Sequence, residues 1–292
     1  MPELPEVETT IRELNKNRAF KVLNARFIDV WTDSPKLIKK PKSFKFFKEK
    51  IKNKKIKKIW RKGKNIVFTL SDNFYLLIHQ KLSGHLLAGK WTREDSQWRP
   101  KNPKYLKDRV NTYIHLMFFL NNGGMIALSD LRKFAKVELL KRPEIEKELS
   151  AIGIDPLEKG FTFSKFQEAL KNKKGEIKKV LMNQQTIAGI GNIYSDEILW
   201  EAKINPLRKA CNLSKKELKT LYLATKTILK KAIKTKGSSV VDYRRISGEK
   251  GGFEKILKVY RKEGQKCPRC GAIIKKTKIG GRTAHYCPNC QK

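Results

Sequence analysis

The sequence predicts an α+β protein: an N-terminal helix with a β-sandwich domain, then a helical domain, then a small metal-stapled hairpin. Three observations carry this. Short apolar runs broken by turn residues fill residues 20–140. Beyond residue 160, apolar positions recur at helical spacing behind capping residues. Two CxxC pairs, Cys267 with Cys270 and Cys287 with Cys290, close the chain.

Each element follows from local pattern. Residues 2–16 read as a helix, with prolines and acids in the first turn and Val7, Ile11 and Leu14 on one face. The runs NIVFTL and FYLLIH flank Ser71-Asp72-Asn73, a hairpin signal. NTYIHLMFFL and MIALS flank Asn121-Asn122-Gly123-Gly124, a second hairpin. Strands this short suit a sandwich or barrel-like pair of sheets. Residues 35–64 are lysine-dense, and the polar stretch 92–107 with its two prolines reads as a loop.

The first domain is expected over 1–142, with a Gly- and Pro-punctuated linker at 143–160. The helical domain then covers 161–257. Ser164 with Gln167, and Ser214 with Glu217, read as capping boxes. The second opens a helix with Leu218, Leu221, Ile228 and Ala232 on one face. Residues 177–203 read as helix, turn, helix, with the turn at Ile187–Gly191. Residues 235–254, rich in Ser, Gly and Arg, read as a mobile loop, and 258–292 as the metal module.

Composition bounds the function. At 292 residues the chain can bury two cores. Lys and Arg number 66 against 28 acids, a net charge of +38 that points to a polyanionic partner, DNA or RNA first. Part of the lysine excess is compositional drift. No apolar run approaches the roughly 18–20 residues of a membrane span, and no secretory signal is visible. Both place the chain in the cytoplasm or its nucleoid. The cysteines are not laid out as a secreted disulfide framework, and Cys211 reads as an ordinary buried or half-buried thiol.

The cysteine pairs are the most specific motif. Each CxxC lets two thiolates grip one metal, and the sixteen residues between the pairs suit a hairpin that brings all four to one tetrahedral Zn2+. Four thiolates leave no open position, so the expected ion is structural, and it supplies the stability so short a segment lacks. The tip, Lys278 to Arg282, is basic and glycine-rich and suits a phosphate backbone. In TIAGIGNIY, Gly189 and Gly191 permit close backbone approach, and Asn192 stands where the next helix begins, a place suited to phosphate. An N-cap role for Asn192 is the plain alternative. Last, MPELPEVET puts Glu3, Glu6 and Glu8 among two prolines at the start of a strongly basic chain.

Together these features resemble the formamidopyrimidine-DNA glycosylases, the MutM branch of the Fpg/Nei superfamily, over essentially the whole chain. The shared features are PELPEVET, the β-rich first domain, the GIGNIY helix–two-turn–helix and the four-cysteine finger. The resemblance implies a bifunctional base-excision repair enzyme acting on double-stranded DNA with a damaged base or an abasic site. It would remove oxidised purines and nick the abasic site by β,δ-elimination. Pro2, freed by loss of Met1, would be the nucleophile. An α-amine, with a pKa of about 8, is neutral near neutrality far more often than a lysine amine. Glu3 would be the general acid/base, and Glu6 would orient the neighbouring backbone and stabilise positive charge. Glu8 is better read as a first-turn acid.

The same resemblance assigns Lys64 to the DNA backbone beside the lesion and His79, Asn192 and Arg282 to phosphates. It makes Glu197 a site-facing acid. Arg132, Lys133 and Phe134 of DLRKF, with Leu82, would fill the space left by base extrusion or grip the strand there. Cys267, Cys270, Cys287 and Cys290 would hold one zinc ion. No membrane partner is implied, and a monomer is the default.

Departures fall on lesion recognition. HLGMSG reads HQKLSG here, with Lys81 for Gly and Leu82 for the inserting Met. Lys133 replaces the second Arg of RRF, and the 240–253 loop is more basic. Three other readings stay open. One is an endonuclease VIII-like preference for oxidised pyrimidines, against which Leu4 argues. Another is a non-catalytic damaged-DNA-binding protein, against which the intact Pro2, Glu3 and Glu6 argue. The third is an RNA-associated zinc ribbon.

Overall fold

The computed structural model describes residues 1–17 and 19–292. Two compact units emerge, Met1–Leu149 with Thr235–Gly252, and Ser150–Lys234 with Phe253–Lys292.

The first unit begins with α1 (Leu4–Asn15) and β1 (Phe27–Thr32), followed by β2 (Ile38–Lys40), α2 (Phe44–Ile51) and β3 (Ile56–Lys62). β3 continues as a meander through β4 (Asn65–Leu70) and β5 (Phe74–His79), after which the chain crosses to the other sheet as β6 (His85–Gly89). The strands β7 (Trp91–Glu94), β8 (Gln97–Pro100), β9 (Ile114–Leu120), β10 (Met125–Ser129) and β11 (Lys136–Lys141) lead to α3 (Arg142–Ser150). The sheets are β1-β9-β10-β6 and β2-β11-β5-β4-β3. Phe27, Phe118 and Leu128 of the first and Phe68, Leu76 and Ile78 of the second meet in one core, with Val7, Ile11 and Leu14 of α1. Period-2 alternation makes this possible, since alternate residues of each strand face the partner sheet.

The stretch 92–107, expected as a loop, instead carries the β7–β8 hairpin. Asp95 and Ser96, both at positive φ (46° and 66°), form its two-residue turn. Trp91 is buried against Tyr105, and Trp98 packs edge-on to Trp31. Without a glycine at the turn, charged alternate positions hid the strands. The linker expected at 143–160 is helical up to Ser150, because Ile145 is buried against Val67, Leu77 and Leu140 of the sheet. Segment 235–252, assigned by sequence to the helical domain as a mobile loop, belongs to the first unit. Tyr243, Arg244 and Ile246 are buried there. Tyr105 Oη donates to the Ile246 carbonyl (3.2 Å) and Arg244 pairs with Asp108.

The second unit holds α4 (Phe163–Leu170), α5 (Ile177–Met182), α6 (Asn192–Glu201) and α7 (Lys215–Lys234). The hairpin of β12 (Lys275–Ile279) and β13 (Arg282–Tyr286) completes it. α7 starts as expected: Ser214 N–H donates to Glu217 Oε2 (2.8 Å) and Glu217 N–H to Ser214 Oγ (3.3 Å). α4 does not, because Thr162, not Ser164, caps it by accepting from Lys165 N–H. Cys211 is exposed rather than buried, since Ala210 takes the inward position of that turn.

α6 is buried from Ile193 to Trp200, acids included. Asp196 Oδ1 accepts from Lys178 Nζ (2.6 Å), itself inaccessible to solvent. Asp196 Oδ2 accepts from the His285 N–H and ring Nδ1, both at 2.9 Å. Glu197, expected to face the reaction site, instead gathers the backbone N–H groups of Lys258, Val259 and Tyr260 at 2.9 Å each. Burial raises its pKa above the usual carboxylate value, against those hydrogen bonds. Both acids therefore fasten α6 to the finger and its approach strand. Among the described residues no helix is long and apolar enough to cross a membrane.

Lys178→Met leaves Asp196 buried with its cation removed. We expect unfolding free energy to fall by about 3–5 kcal/mol, measured by urea denaturation, and Lys178→Met/Asp196→Asn to recover most of it.

Candidate active site

The first site forms where the chain begins. Met1 is exposed, while Pro2, Glu3 and Glu6 are buried. Glu6 lies one turn into α1, and its Oε2 accepts from the Glu3 N–H at 2.7 Å. Its Oε1 accepts from the Ser238 N–H at 2.8 Å. A side chain at Gly237, where φ is +78°, would put its Cβ 2.7 Å from Glu6 Oε1, so this turn requires glycine. One carboxylate thus fixes the N-terminal backbone and the start of the 235–252 segment.

Charge around the terminus is mixed. Burial pushes the Met1 amine below its ordinary value of 8.0, Glu3 and Glu6 oppose this, and Lys64 adds to it. Lys64 is buried and follows the Gly63 turn between β3 and β4. Asn65 pairs with His79 across β4 and β5, so the lysine turn and the histidine share one sheet end. Burial, reinforced by Lys81, Lys64 and Lys136, pushes His79 down to about 3. Its Nδ1 accepts from the Lys81 N–H (3.0 Å), which leaves Nε2–H as the donor of a neutral ring.

Two loops at this sheet end carry the residues expected to enter the DNA stack. Leu82 is half-buried on the β5–β6 loop; Arg132 and Phe134 are exposed on the β10–β11 loop. The Arg132 guanidinium sits 4.7 Å from the centre of the Phe134 ring. So Phe134 is a surface residue here, not core.

Buried Asp130 organises both loops. It accepts from Ser83 Oγ (2.5 Å) and from the Arg132 and Ala135 N–H groups (3.3 and 2.7 Å). Sequence reasoning missed Ser83 and Asp130. The signal was present, since an Asp opening a turn commonly accepts from backbone two residues on. Lys81 and Lys133 both lie at positive φ (54° and 55°), a conformation that costs a non-glycine residue roughly 1–2 kcal/mol.

The second unit carries a separate constellation. Gly191 is the N-cap of α6 and Asn192 its first residue, so the plain capping role for Asn192 does not hold. Gly189 takes φ +90° in the turn before it. A cavity of about 520 Å3 is lined by Asn192 with Arg261, Lys276 and Lys278, and joins the start of α6 to the hairpin. Lys278 belongs to the basic tip expected from sequence; Arg261 and Lys276 were not anticipated. Arg282 is exposed at the start of β13, beside Gly280 and Gly281.

The four cysteines converge as the spacing requires. Their sulfurs lie within 4.8 Å of one another, with Cys267 to Cys290 at 3.9 Å and Cys270 to Cys287 at 3.5 Å. Metal–sulfur bonds of about 2.3 Å in a tetrahedron set this edge near ~3.8 Å. Trp200 Nε1–H donates to Cys267 Sγ (3.5 Å), and Arg269 covers the same indole at 3.8 Å from its centre. The donor set fits a closed metal site.

Comparisons with known proteins match the chain in three parts. The family description "Formamidopyrimidine-DNA glycosylase N-terminal domain" matches residues 1–137, and "Formamidopyrimidine-DNA glycosylase H2TH domain" matches 152–244. "Zinc finger found in FPG and IleRS" matches 264–292. The formamidopyrimidine-DNA glycosylase of Pelotomaculum thermopropionicum is 36% identical, covering 100% of this chain and 99% of that protein. The protein of the same name from Protochlamydia amoebophila is 35% identical over the full length of both. Among solved structures, Lactococcus lactis Fpg with abasic-site DNA matches with a TM-score of 0.85, 34% identity and 99% of each chain. MutM with DNA containing carbocyclic 8-oxo-G matches with a TM-score of 0.85, 34% identity and 100% of each chain.

Ser83→Ala removes the hydroxyl that links the two loops through Asp130. We expect about 1–2 kcal/mol of lost stability. Affinity for a duplex with an abasic-site analogue should fall about fivefold, the equivalent of ~1 kcal/mol in loop order. Fluorescence anisotropy checks the second figure; unchanged affinity would confine Ser83 to folding.

Proposed function

This chain belongs to the formamidopyrimidine-DNA glycosylase family, and we propose that it is a bifunctional DNA glycosylase and AP lyase that excises oxidised purines. The observation that carries this is the N-terminal cluster: Pro2, Glu3 and Glu6 are buried together, so that loss of Met1 frees a secondary α-amine among two carboxylates. After removal of Met1, the Pro2 nitrogen attacks C1′ of an extruded nucleotide. The bond from C1′ to the base breaks, the base leaves with a proton, and a secondary amine gives an iminium directly. That electron sink allows successive elimination of the 3′ and 5′ phosphates.

Glu3 handles protons at the sugar. Glu6 spends both oxygens on the backbone N–H groups of Glu3 and Ser238, which makes it a positioning residue rather than a proton carrier. Lys64 and neutral His79 bind phosphate in the first unit; Asn192 and Arg282 do so in the second, with the neighbouring cations of the cavity. Leu82, Arg132 and Phe134 fill the gap left by the extruded nucleotide, and Lys133 meets the backbone there. Cys267, Cys270, Cys287 and Cys290 hold one zinc ion, which supplies a crosslink and no chemistry. The partner is damaged or abasic duplex DNA; a cytoplasmic, nucleoid-associated monomer is the form we assign.

Borohydride trapping on an abasic duplex tests the chemistry. Wild type should form a covalent adduct; Pro2→Gly and a form that retains Met1 should form at least about a hundredfold less, as expected for loss of a nucleophile. An adduct of normal yield with Met1 retained would exclude the Pro2 role. The trapping rate should rise with pH as the Pro2 amine loses its proton, because the neutral form is the attacking one.

Stripping the metal with a chelator should unfold the 264–292 module, seen by circular dichroism and cysteine labelling, and weaken DNA binding at least about tenfold. Unchanged binding after confirmed metal loss would contradict its part in the grip.

A further inference from the structure

The lysine-dense stretch is not used by the chemistry above. Between Lys36 and Lys58 the chain carries twelve lysines and one acid, Glu49. Folding places much of this charge around α2, at the end of β5 opposite His79. β5 runs from Phe74 to His79, five steps of about 3.3 Å, so this surface lies roughly 17 Å from the phosphate-facing histidine.

α2 shows why. Its inward face is Phe47 and Ile51, both fully buried. Its outward face keeps Phe46 at 47% exposure, with Lys50 Nζ 5.0 Å from the ring centre. Burial in the first unit does not account for a phenylalanine in that position. Phe74, half-buried at the start of β5, completes the wall, with Lys141 Nζ 3.6 Å from its ring centre. Between the two rings lies a cavity of about 360 Å3, edged by Lys40, Lys50 and Lys141 and by one acid, Glu144. Among the described residues these three lysines form no ion pair with a carboxylate, whereas Lys48 and Lys54 are neutralised by Asp29 and Asp72. Unneutralised cations therefore rim an aromatic-walled cavity.

We propose that this cavity is a second DNA-binding site, which takes an unpaired nucleotide of single-stranded DNA. Its volume falls in the range of small-ligand pockets and is too narrow for a duplex. Aromatic side walls suit an unstacked base, and the lysines suit its two flanking phosphates. A strand held here lies at the end of β5 opposite His79 and the Lys64 turn, so the site retains DNA without cutting it.

The full-length, metal-loaded protein is first saturated with a hairpin duplex carrying an uncleavable abasic analogue. Fluorescein-labelled dT10 is then titrated and followed by anisotropy. Wild type should bind one equivalent of dT10 with the hairpin still in place. Phe46→Ala/Lys50→Glu should weaken that binding at least tenfold and leave nicking of an abasic duplex within twofold. Both side chains are exposed, so folding is preserved, and circular dichroism checks this. A charge-matched pair far along the sequence at exposed positions, Leu223→Ala/Lys230→Glu, should lose less than threefold. Displacement of dT10 by the hairpin, or equal losses in both pairs, would overturn the proposal. So would Phe46-dependent binding to phosphatidylglycerol vesicles in preference to dT10. Failure of this site leaves the borohydride result untouched, so the two readings are judged separately.

Discussion

One carboxylate holds the N-terminal end of the chain in place. Glu6 accepts from the Glu3 N–H with one oxygen and from the Ser238 N–H with the other. The first bond fixes where α1 starts, and hence where Pro2 and Glu3 sit. The second closes the 235–252 segment onto the same point. A buried carboxylate without such donors would be costly, so each bond depends on the other being kept. Gly237 follows from this constraint, because the oxygen occupies the space a Cβ would need.

The same device recurs. Asp130 collects Ser83 and two backbone N–H groups, and so joins the two loops that carry Leu82, Arg132 and Phe134. Asp196 joins Lys178 to His285, and Glu197 gathers three consecutive N–H groups of the strand approaching the finger. In a chain with a net charge of +38, acids are scarce, and these four are inside, where the dielectric is low and each bond is strong. Most cations stay outside, where DNA can reach them; Lys64, Lys178 and Arg244 are buried. Charge is thus sorted by role: buried acids set geometry, and exposed or rim lysines and arginines attract the polyanion.

Patterns with a short period were legible in the sequence. The strands of both main hairpins, α1, the capped start of α7 and the four-cysteine finger all follow from spacing alone. The site residues of the first ten positions followed from a motif. What escaped needed contacts across long sequence separations. The β7–β8 hairpin depends on Trp31 and Tyr105 to bury its tryptophans. The place of 235–252 in the first unit depends on Glu6, more than two hundred residues earlier. Glu197, one turn after Asn192, was a site-facing acid only by family resemblance. Only the backbone of 258–260, invisible to local pattern, turned it into an anchor.

Lesion choice rests on what the anchors leave variable. Lys81 and Lys133 stand where the family pattern has Gly and Arg, and both adopt the left-handed region. Neither belongs to the acid-anchored framework: Ser83 and Asp130 hold the loop bases whatever occupies the tips. A lysine at positive φ costs more than glycine and restricts the tip to fewer conformations. Leu82 beside it is stiffer than methionine. The two changes act together, trading adaptability of the inserted side chain for a preset loop. Under the proposed roles, a preset wedge favours a gap of one shape, so these tips would bear on which base pair is opened, while the Glu6-anchored terminus would govern how the bond is broken.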